Sequence, residues 1–400
     1  MPGEESFTLA VLPDTQKYCH ANPENFHAQT RWIAENREAC RIEAVLHLGD
    51  ITDHNTPAQW EVAQAAMNRL DGHLPYFFVP GNHDYSKGGR ATDRTTLLDD
   101  YFPVAKFGKL PTFGGTYDKE PASMTNSYHL FSAGGRKFVV IGLEFGPRAD
   151  VVRWANEVAA KHADREAILI THAYTYFDDT RYDWKKYGAR QSWNPHSYGV
   201  AKQSGGDVMD GEELWRNLVS RHENFILTLN GHVLQDGLGR VTSRTPSGRE
   251  VHQLLVNFQM KPKGGDGWLR LLEFTPERKV EVYDHVGWNQ PLPVMNELLQ
   301  ALRSADRDKI AMFLSLIPGA GHLYKHHYAS GFGILFGGNI LIVFVSLLLG
   351  LATFGVSLLI VPLVYLFVVA AAYYLPDWHG HHHYLHPWMP EVPDPPDRIG

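Results

Sequence analysis

The sequence predicts an α/β domain that is followed by a membrane-embedded helical hairpin. Three observations lead to this prediction. Short apolar runs alternate with segments of helical spacing, β-rich segments with turn residues between them come next, and Ala329 to Leu375 forms a run of 47 residues without Asp, Glu, Lys or Arg. The first two patterns are typical of sheets covered by helices, and the third is long enough for two bilayer-spanning helices.

Strands and helices alternate in the first part of the chain. The predicted strands are apolar runs bounded by polar or turn residues, at Phe7–Pro13, Ala44–Leu48, Pro75–Pro80, Lys137–Leu143, Ala167–Ile170 and Phe225–Leu229. The predicted helices begin with proline or space their apolar residues at helical intervals, and they cover Pro23–Ala39, Pro57–Leu70, 149–162 and 211–221. This order predicts a largely parallel arrangement of strands with helical connections.

The later part of the domain has a different sequence pattern. Val251–Phe258, Trp268–Phe274 and Lys279–Asp284 are β-rich and separated by turn residues, which predicts antiparallel strands. Residues 288–308 are predicted to form an amphipathic connector, and residues 376–400 a His- and Pro-rich tail that does not fold alone. The folded domain is therefore predicted to end at residue 287.

Residues 309–375 are predicted to be a membrane anchor. A glycine-containing break near residues 350–355 divides the uncharged run into spans of about 332–349 and 354–375, each close to the roughly 20 residues that cross a bilayer. The alternative is a buried hairpin within a large soluble core, but apolar runs of this length are uncommon there. The sequence thus favours a two-span membrane protein whose partners include membrane lipid.

Composition restricts the remaining classes. The net charge is −7, from 37 basic and 44 acidic residues, which argues against a protein that mainly binds nucleic acid. Cys19 and Cys40 are the two cysteines, so burial rather than a disulfide framework must stabilise the fold. The apolar run from Phe7 ends at Pro13 and follows no basic leader, so we expect the domain before the first span to lie on the cytoplasmic side.

Five short polar motifs each follow an apolar strand. They are Asp14-Thr15-Gln16, Gly49-Asp50-Ile51-Thr52-Asp53, Gly81-Asn82-His83-Asp84, the single His172, and Gly231-His232. Ligands of α/β proteins bind beyond the carboxyl ends of parallel strands, so these side chains are expected to converge on one pocket. Asp, Asn and His supply the oxygen and nitrogen donors that bind Mn²⁺, Zn²⁺, Fe or Mg²⁺.

Taken together, the five motifs resemble those of the calcineurin-like metallophosphoesterase superfamily, in particular a bacterial branch with Asp-Thr-Gln as first motif. The resemblance covers about residues 7–285. It implies a four-layer α/β/β/α sandwich of two mixed sheets. It also implies hydrolysis of a phosphomonoester or phosphodiester by a hydroxide that a dinuclear metal centre activates. The implied partner is a phosphorylated substrate, and the implied cofactors are two divalent ions (Mn, Fe, Zn or Mg).

The resemblance also implies a role for each motif residue. Asp50 would bridge the two ions, Asn82, His172 and His232 would complete the shell of one of them, and Asp14 and Gln16 would bind the other. His83 would give a proton to the leaving group, with Asp84 fixing its ring. Asp53 would be a hydrogen-bond partner rather than a ligand.

The residues that depart from the family pattern are at the ligand positions of one of the two ions. Gln16 and Leu234 occupy positions where the family has histidine. A Gln oxygen binds a hard cation, Leu234 binds none, and Gln235 or Asp236 is a candidate replacement. A weaker first site is therefore expected. The alternative function is a membrane-tethered binding or scaffold protein on the same fold, with weakened catalysis.

The segment between His172 and His232 is rich in aromatic and charged residues. It is expected to form a lid, with Arg181, Asn194 and His196 as candidate substrate-binding residues, or else an ordinary packed insertion. A nuclease is disfavoured, because residues 1–308 carry 34 basic and 40 acidic residues. Substrate identity and oligomeric state stay open.

Overall fold

Two mixed β-sheets form the centre of the protein, whose structure is a computed structural model that describes residues 5–286 together with Pro2, Ile334 and Leu366. One sheet has the strand order β12-β11-β1-β2-β3 and the other β4-β5-β6-β7-β8-β10-β9. In chain order the strands are β1 (Phe7–Leu12), β2 (Ile42–His47), β3 (Tyr76–Phe78), β4 (Phe113–Thr116), β5 (Ser127–Ala133), β6 (Arg136–Leu143), β7 (Glu166–Thr171), β8 (Phe225–Asn230), β9 (Leu238–Arg244), β10 (Glu250–Val256), β11 (Trp268–Phe274) and β12 (Val280–Val286).

Most of the helices in the described residues are short. They are α1 (Gln16–Ala21), α2 (Pro23–Asn36), α3 (Pro57–Met67), α4 (Leu98–Tyr101), α5 (Val104–Phe107), α6 (Ala149–Lys161), α7 (Trp184–Tyr187), α8 (Gly199–Gln203), α9 (Gly211–Asn217) and α10 (Pro262–Gly265). Helices α2 and α3 begin at the prolines that predict them. Proline suits this position because its φ is already helical, and because the N–H that it lacks would have no partner in the first turn.

The parallel strands bring their carboxyl ends to one edge of each sheet. Strands β1, β2 and β3 are parallel, and so are β6, β7, β8 and β10. The two edges meet, because His172 after β7 donates a 2.8 Å hydrogen bond from Nδ1 to the carbonyl of Leu48 after β2. Residues that follow these strands are therefore neighbours in space although they are far apart in the chain.

Alternate residues of both sheets fill the space between them. Leu9 of β1 and Leu46 of β2 belong to the same buried cluster as Val140 of β6, Ile168 of β7 and Leu229 of β8. Successive strand residues point to opposite faces, which is why every second residue enters this cluster. Burying one such side chain stabilises the fold by roughly 1.5–3 kcal/mol, so this interface contributes much of the core.

Helices cover the outer faces of the two sheets. Val139 of β6 packs with Val151 of α6 and Leu214 of α9 in a second buried cluster. On the other sheet, Gln29 of α2 donates a 2.7 Å hydrogen bond from Nε2 to the carbonyl of Trp268 at the start of β11. The prediction of an α/β fold with two mixed sheets is confirmed.

The structure corrects one strand relationship and adds three strands. The segment at Val251–Phe258 is predicted to be antiparallel, but β10 pairs parallel with β8 on one side and antiparallel with β9 on the other. Strands β4, β5 and β9 were not predicted. In β9, exposed residues alternate with half-buried ones along the whole strand, so it lacks the continuous apolar run that identified the central strands.

No helix among the described residues is long and apolar enough to cross a membrane. Apart from Ile334 and Leu366, the predicted anchor at 309–375 lies outside the described residues, as do the connector at 288–308 and the tail at 376–400. One of the two units into which contacts divide the chain is Pro2–Asn289. The domain limits and the two spans stay predictions.

Candidate metal centre

Four of the predicted ligands converge where the carboxyl ends of the two sheets meet. His172 Nε2 lies 3.1 Å from Asp50 Oδ1, and the His172 and His232 rings are 4.8 Å apart. One potential ligand atom from each of these three residues lies within 4.8 Å of the others. Asp14 joins the group because the backbone N–H of His232 donates to its Oδ1 at 3.1 Å. Two carboxylates and two imidazoles thus share one buried space.

The backbone closes tightly around these side chains. A Cβ at Gly81 would meet Asp50 Oδ1 at 2.1 Å, and one at Gly231 would meet Asp14 Oδ1 at the same distance. Both glycines are therefore required by close approach. Asp50 and His232 themselves adopt positive φ angles of 48° and 75°. Such strain in non-glycine residues is held in place by the surrounding structure and is frequent at functional sites.

Hydrogen bonds fix which nitrogen of each imidazole is available to a cation. His172 uses Nδ1–H for the Leu48 carbonyl, so its Nε2 faces Asp50 and offers a lone pair to a cation once it gives up its proton. His232 donates from Nε2 to the carbonyl of Trp193 at 2.8 Å, which leaves Nδ1. A hydrogen bond from one ring nitrogen to a carbonyl is the usual way in which metal-binding histidines are oriented.

Several buried polar atoms at the motif positions have no hydrogen-bond partner among the described residues. They include Asn82 Oδ1, His172 Nε2 and Gln16 Oε1, and the His172–Asp50 contact lacks hydrogen-bond geometry. An unsatisfied buried polar group costs about 1–3 kcal/mol. A divalent cation would satisfy such atoms, and their types match the donors that divalent metals take. The residues therefore fit a metal centre.

Buried carboxylates and imidazoles shift one another's pKa values at this site. Burial raises the pKa of Asp14, and the nearby Asp50 carboxylate adds to that rise, while His172 opposes it. Burial also opposes ionisation of Asp50, but His172 and His83 outweigh it and hold the pKa of Asp50 below its ordinary value. Burial lowers the pKa of His232 to about 3, with the His172 charge adding to the shift. The neutral imidazole of His232 is the form that binds a metal.

Two further residues, not predicted from the sequence, contact Asp14. Asn257 donates from Nδ2 to Asp14 Oδ2 at 3.0 Å, and Gln259 donates from Nε2 to the same oxygen at 3.4 Å. Gln259 also accepts a hydrogen bond from Gln16 Nε2. Both residues follow β10, which is parallel to β8. The rule that polar residues after parallel strands share one site would have found them, had β10 been assigned as parallel.

The candidate replacements for Leu234 lie elsewhere. Gln235 and Asp236 are exposed, and Asp236 Oδ1 accepts the backbone N–H of Leu238 at 3.1 Å, as in a turn. The expectation that either completes the first ion's shell is wrong in this structure, because the chain reaches the surface at Gln235, after the buried Val233. Gln259 occupies the neighbourhood of Asp14 instead.

His83 lies beside the centre with its ring partly exposed. Its backbone N–H donates to Asp50 Oδ1 at 2.9 Å, and its side-chain Nδ1–H donates to the carbonyl of Asp53 at 2.9 Å. The expectation that Asp84 fixes this ring is wrong. Asp84 instead accepts the backbone N–H groups of Ile51 and Gly81, at 3.0 and 2.8 Å, and bonds Thr52 through its other oxygen. Asp84 thus holds the loops after β2 and β3 together.

Asp53 is surrounded by cationic and imidazole groups. Lys17 Nζ contacts both carboxylate oxygens at 3.1 Å, and His20 Nδ1 lies 2.7 Å from Oδ2. His54 and His83 approach the same carboxylate at 3.5 and 3.4 Å. These hydrogen bonds and charges hold the pKa of Asp53 below its ordinary value against the effect of burial. Asp53 is therefore placed as a hydrogen-bond partner beside His83, as the resemblance implies.

The three candidate substrate-binding residues have partners within the protein. Arg181 donates from Nε to Glu212 at 2.7 Å and from Nη1 to Gln253 at 3.0 Å. Asn194 donates to Asp210 Oδ2 at 3.1 Å. His196 Nε2 lies 2.7 Å from Glu213 Oε2. In this structure their polar groups are engaged with these partners, and they stabilise residues 173–210, here called the insertion.

Comparison with known proteins agrees with this geometry. The family model described as calcineurin-like phosphoesterase matches residues 7–236, which is more than half of the chain. The uncharacterized protein YvnB of Bacillus subtilis is 28% identical over 324 residues, which are 79% of this chain and 22% of that protein. The chain therefore spans about a fifth of the length of YvnB.

Solved structures with weaker likeness include two hydrolases. The NAD nucleotidase NadN of Haemophilus influenzae is 15% identical, with a TM-score of 0.40 over 70% of this chain and 50% of its own. The purple acid phosphatase PPD1 of yellow lupin seeds is 14% identical, with a TM-score of 0.41 over 70% of this chain and 52% of its own. The family match, with candidate metal ligands at its motif positions, shows that the chain belongs to the calcineurin-like phosphoesterase family, whose members typically use divalent metals.

Proposed function

We propose that this protein hydrolyses a phosphomonoester or phosphodiester at a centre of two divalent cations. The observation that carries the proposal is the presence of unpartnered, buried ligand atoms at the motif positions, together with the meeting of Asp50, His172 and His232. Asn82 Oδ1 and His172 Nε2 have no hydrogen-bond partner in the described part of the chain, and His83 lies beside them. A structural core would satisfy such atoms with its own donors, whereas a metal site leaves them for the ion.

Each ion would have its own set of ligands. Asp50, Asn82, His172 and His232 would hold one ion, and Asp14 and Gln16 would hold the other together with the shared Asp50. When bound, the cations supply an activated water and neutralise charge on the phosphoryl group. The protein contributes the fixed positions of the ligands, since the His172 and His232 rings are locked by carbonyls on the far side.

His83 is proposed to donate the proton that the leaving oxygen needs. Its Nδ1–H is fixed by the Asp53 carbonyl, so its Nε2 is the nitrogen that remains for a substrate. The side chain is 33% exposed, which allows contact with a bound ester. Lys17 and His20, both about half exposed, contact the Asp53 carboxylate beside His83.

The proposal is tested on the purified full chain with p-nitrophenyl phosphate and its bis ester. Chelation should abolish hydrolysis, and Mn²⁺, Zn²⁺ or Mg²⁺ should restore it. Asn82→Ala and His83→Ala should each lower the rate, and Gln235→Ala, at an exposed position outside the centre, serves as the matched control. Hydrolysis that persists unchanged in both variants would contradict the mechanism.

We also propose that the enzyme is held at a membrane by residues 309–375. The support is the run of 47 residues without Asp, Glu, Lys or Arg between Ala329 and Leu375. Fractionation of cells that express the full chain, or residues 1–308 alone, tests this proposal. The full chain should require detergent for extraction, and the shorter chain should not sediment with membranes. Equal distribution of the two would exclude the anchor.

A further inference from the structure

The two cation positions of the proposed centre differ in the chemistry of their ligands. The position next to Asn82 is bordered by the imidazoles of His172 and His232. At the position next to Asp14, Gln16 and Leu234 replace the two histidines of the family pattern, so neither supplies an imidazole. What surrounds Asp14 instead is a set of carboxamides, and these decide which ion this position accepts.

Gln16 presents an oxygen that no donor uses. Its side chain is 3% exposed, and its Oε1 has no hydrogen-bond partner among the described residues. Asn82 Oδ1 and His172 Nε2, at two other motif positions, are in the same state. Other buried carboxamide oxygens in the described part of the chain, such as Asn25 Oδ1 and Gln29 Oε1, are also unpartnered, but only these three lie at motif positions. A cation-binding centre explains all three, so Gln16 Oε1 is assigned the same role as the other two atoms.

Gln259 and Asn257 determine the orientation of Gln16 and Asp14. The backbone N–H of Gln259 donates to Asn257 Oδ1 at 2.9 Å, so the Nδ2 end of Asn257 faces Asp14 Oδ2 at 3.0 Å. Gln259 Oε1 accepts from Gln16 Nε2, which turns Gln16 Oε1 away from this contact. These hydrogen bonds form a continuous chain from β10 to both side chains. They orient these ligand side chains in the same way that backbone carbonyls orient metal-binding histidines.

We propose that Asp14, Gln16 Oε1 and the shared Asp50 form an all-oxygen cation site that takes Mg²⁺ or Mn²⁺, with Gln259 as its positioning residue. The inference rests on the proposed dinuclear function and specifies the ion class of one of its two positions. Carboxylate and amide oxygens favour hard cations, whereas imidazole favours Zn²⁺ and its neighbours in the transition series. The chain would therefore hold two different metals, with the softer one between His172 and His232.

The test uses the full chain, stripped of metal by a chelator and reloaded with one equivalent of Zn²⁺. Mn²⁺ is then titrated and followed by electron paramagnetic resonance, with metal content measured independently. We expect one further equivalent of Mn²⁺ that an excess of Mg²⁺ displaces, at a position whose preference for Zn²⁺ over Mn²⁺ is smaller than that of the imidazole position. Gln259→Leu should weaken this Mn²⁺ binding by about 10- to 100-fold, the usual effect of removing a residue that orients a ligand.

Two variants make the test specific. Gln235→Leu removes the same carboxamide from an exposed neighbouring position and should leave Mn²⁺ binding unchanged. Gln16→His adds an imidazole and should shift the second equivalent toward Zn²⁺ by about 10-fold or more. Thermal unfolding of each variant is measured in parallel. If Gln259→Leu does not fold, the preference of Gln16→His for Zn²⁺ over Mn²⁺ still tests whether Gln16 is a ligand of this position.

Each remaining outcome has one meaning. Binding of one Zn²⁺ without any Mn²⁺, or two equivalents of Zn²⁺ without discrimination, overturns the all-oxygen site but leaves metal-dependent hydrolysis intact. Unchanged Mn²⁺ affinity in a folded Gln259→Leu variant removes the positioning role. Failure of the wild-type chain to bind any divalent ion overturns the inference and the proposed function together.

Discussion

Two clusters of this protein, one buried and one partly exposed, contain the same kinds of side chain but use them differently. The centre triad is Asp50, His172 and His232, and the insertion triad is His196, Asp210 and Glu213. In each triad the candidate ligand atoms lie within 4.8 Å of one another. Distance and residue type therefore do not separate a metal site from an ordinary structural cluster.

Hydrogen bonding separates them. In the insertion triad, Asp210 accepts from Asn194 at 3.1 Å and from the backbone N–H of Glu213 at 3.1 Å, and Glu213 accepts from Asp210 and His196. This is the capping box at the start of α9, with a histidine added. In the centre triad, His172 Nε2 has no hydrogen-bond partner among the described residues. Unpartnered ligand atoms, rather than proximity, identify the site that needs a cation.

The largest effect is expected when the centre triad loses a ligand. His172→Ala should lower kcat/KM by about 10³-fold, because charge stabilisation by a bound metal contributes several kcal/mol. His196→Ala is the matched change in the insertion triad and should retain both metal content and most activity. Steady-state kinetics and metal analysis of the two variants check this. Equal loss of metal in both would mean that the insertion triad also binds an ion.

A smaller effect is expected for the proton donor. His83→Ala should reduce kcat by about 10²-fold, at the lower end of what general acid catalysis contributes. Its metal content should match the wild type, since His83 contacts Asp50 through its backbone N–H. The loss should also be smaller for a substrate with a good leaving group, such as p-nitrophenyl phosphate, than for an alkyl phosphate. A uniform loss across leaving groups would argue against proton donation.

A substitution in the insertion triad should lower the stability of the fold rather than the catalytic rate. Asp210→Ala removes the cap of α9 and leaves the N–H of Trp184 and the amide of Asn194 without their acceptor. We expect the free energy of unfolding to fall by about 2 kcal/mol. Urea unfolding measures this change. A variant as stable as the wild type would show that Asp210 is not needed as a cap.

The smallest effect concerns pH. Burial opposes protonation of His196, but its hydrogen bond to Glu213 and the charge of Glu213 outweigh it, so the pKa of His196 is raised. A raised pKa means that the pair stabilises the fold below the ordinary histidine pKa and loses this contribution as pH rises through the folded value. His196→Gln should therefore cost about 1 kcal/mol near pH 6 and little near pH 9. Unfolding at both pH values checks the sign, and a cost that is larger near pH 9 than near pH 6 would contradict the charged pair.

Much of this fold was predictable because its central strands are continuous apolar runs. Strands β1, β2, β6, β7 and β8 and helices α2, α3, α6 and α9 lie close to their predicted positions. Edge strands were missed because they carry exposed polar residues, as β9 does. Strand direction was the costlier omission. Assigning β10 as antiparallel removed Asn257 and Gln259 from consideration, although they follow a parallel strand as the other motifs do.

The sequence predicts where the candidate site residues lie better than it predicts their hydrogen-bond partners. The five motifs after parallel strands do meet at one place, since the topology alone brings them there. Which donor Asp84 accepts, or whether Arg181 is free for a substrate, depends on contacts across more than 30 residues of chain. No local pattern encodes such contacts. They follow from the packing of the whole domain.

The contact between the insertion and the centre has a consequence for how this sequence can vary. His232 is oriented by the main-chain carbonyl of Trp193, a residue that is 40% exposed and has a φ of 62°. Because a carbonyl is common to every amino acid, exchange of the indole for another side chain leaves the contact available. Insertion or deletion of a single residue between Gln191 and Pro195 would move it. Natural variants are thus expected to differ in identity at position 193 while conserving loop length.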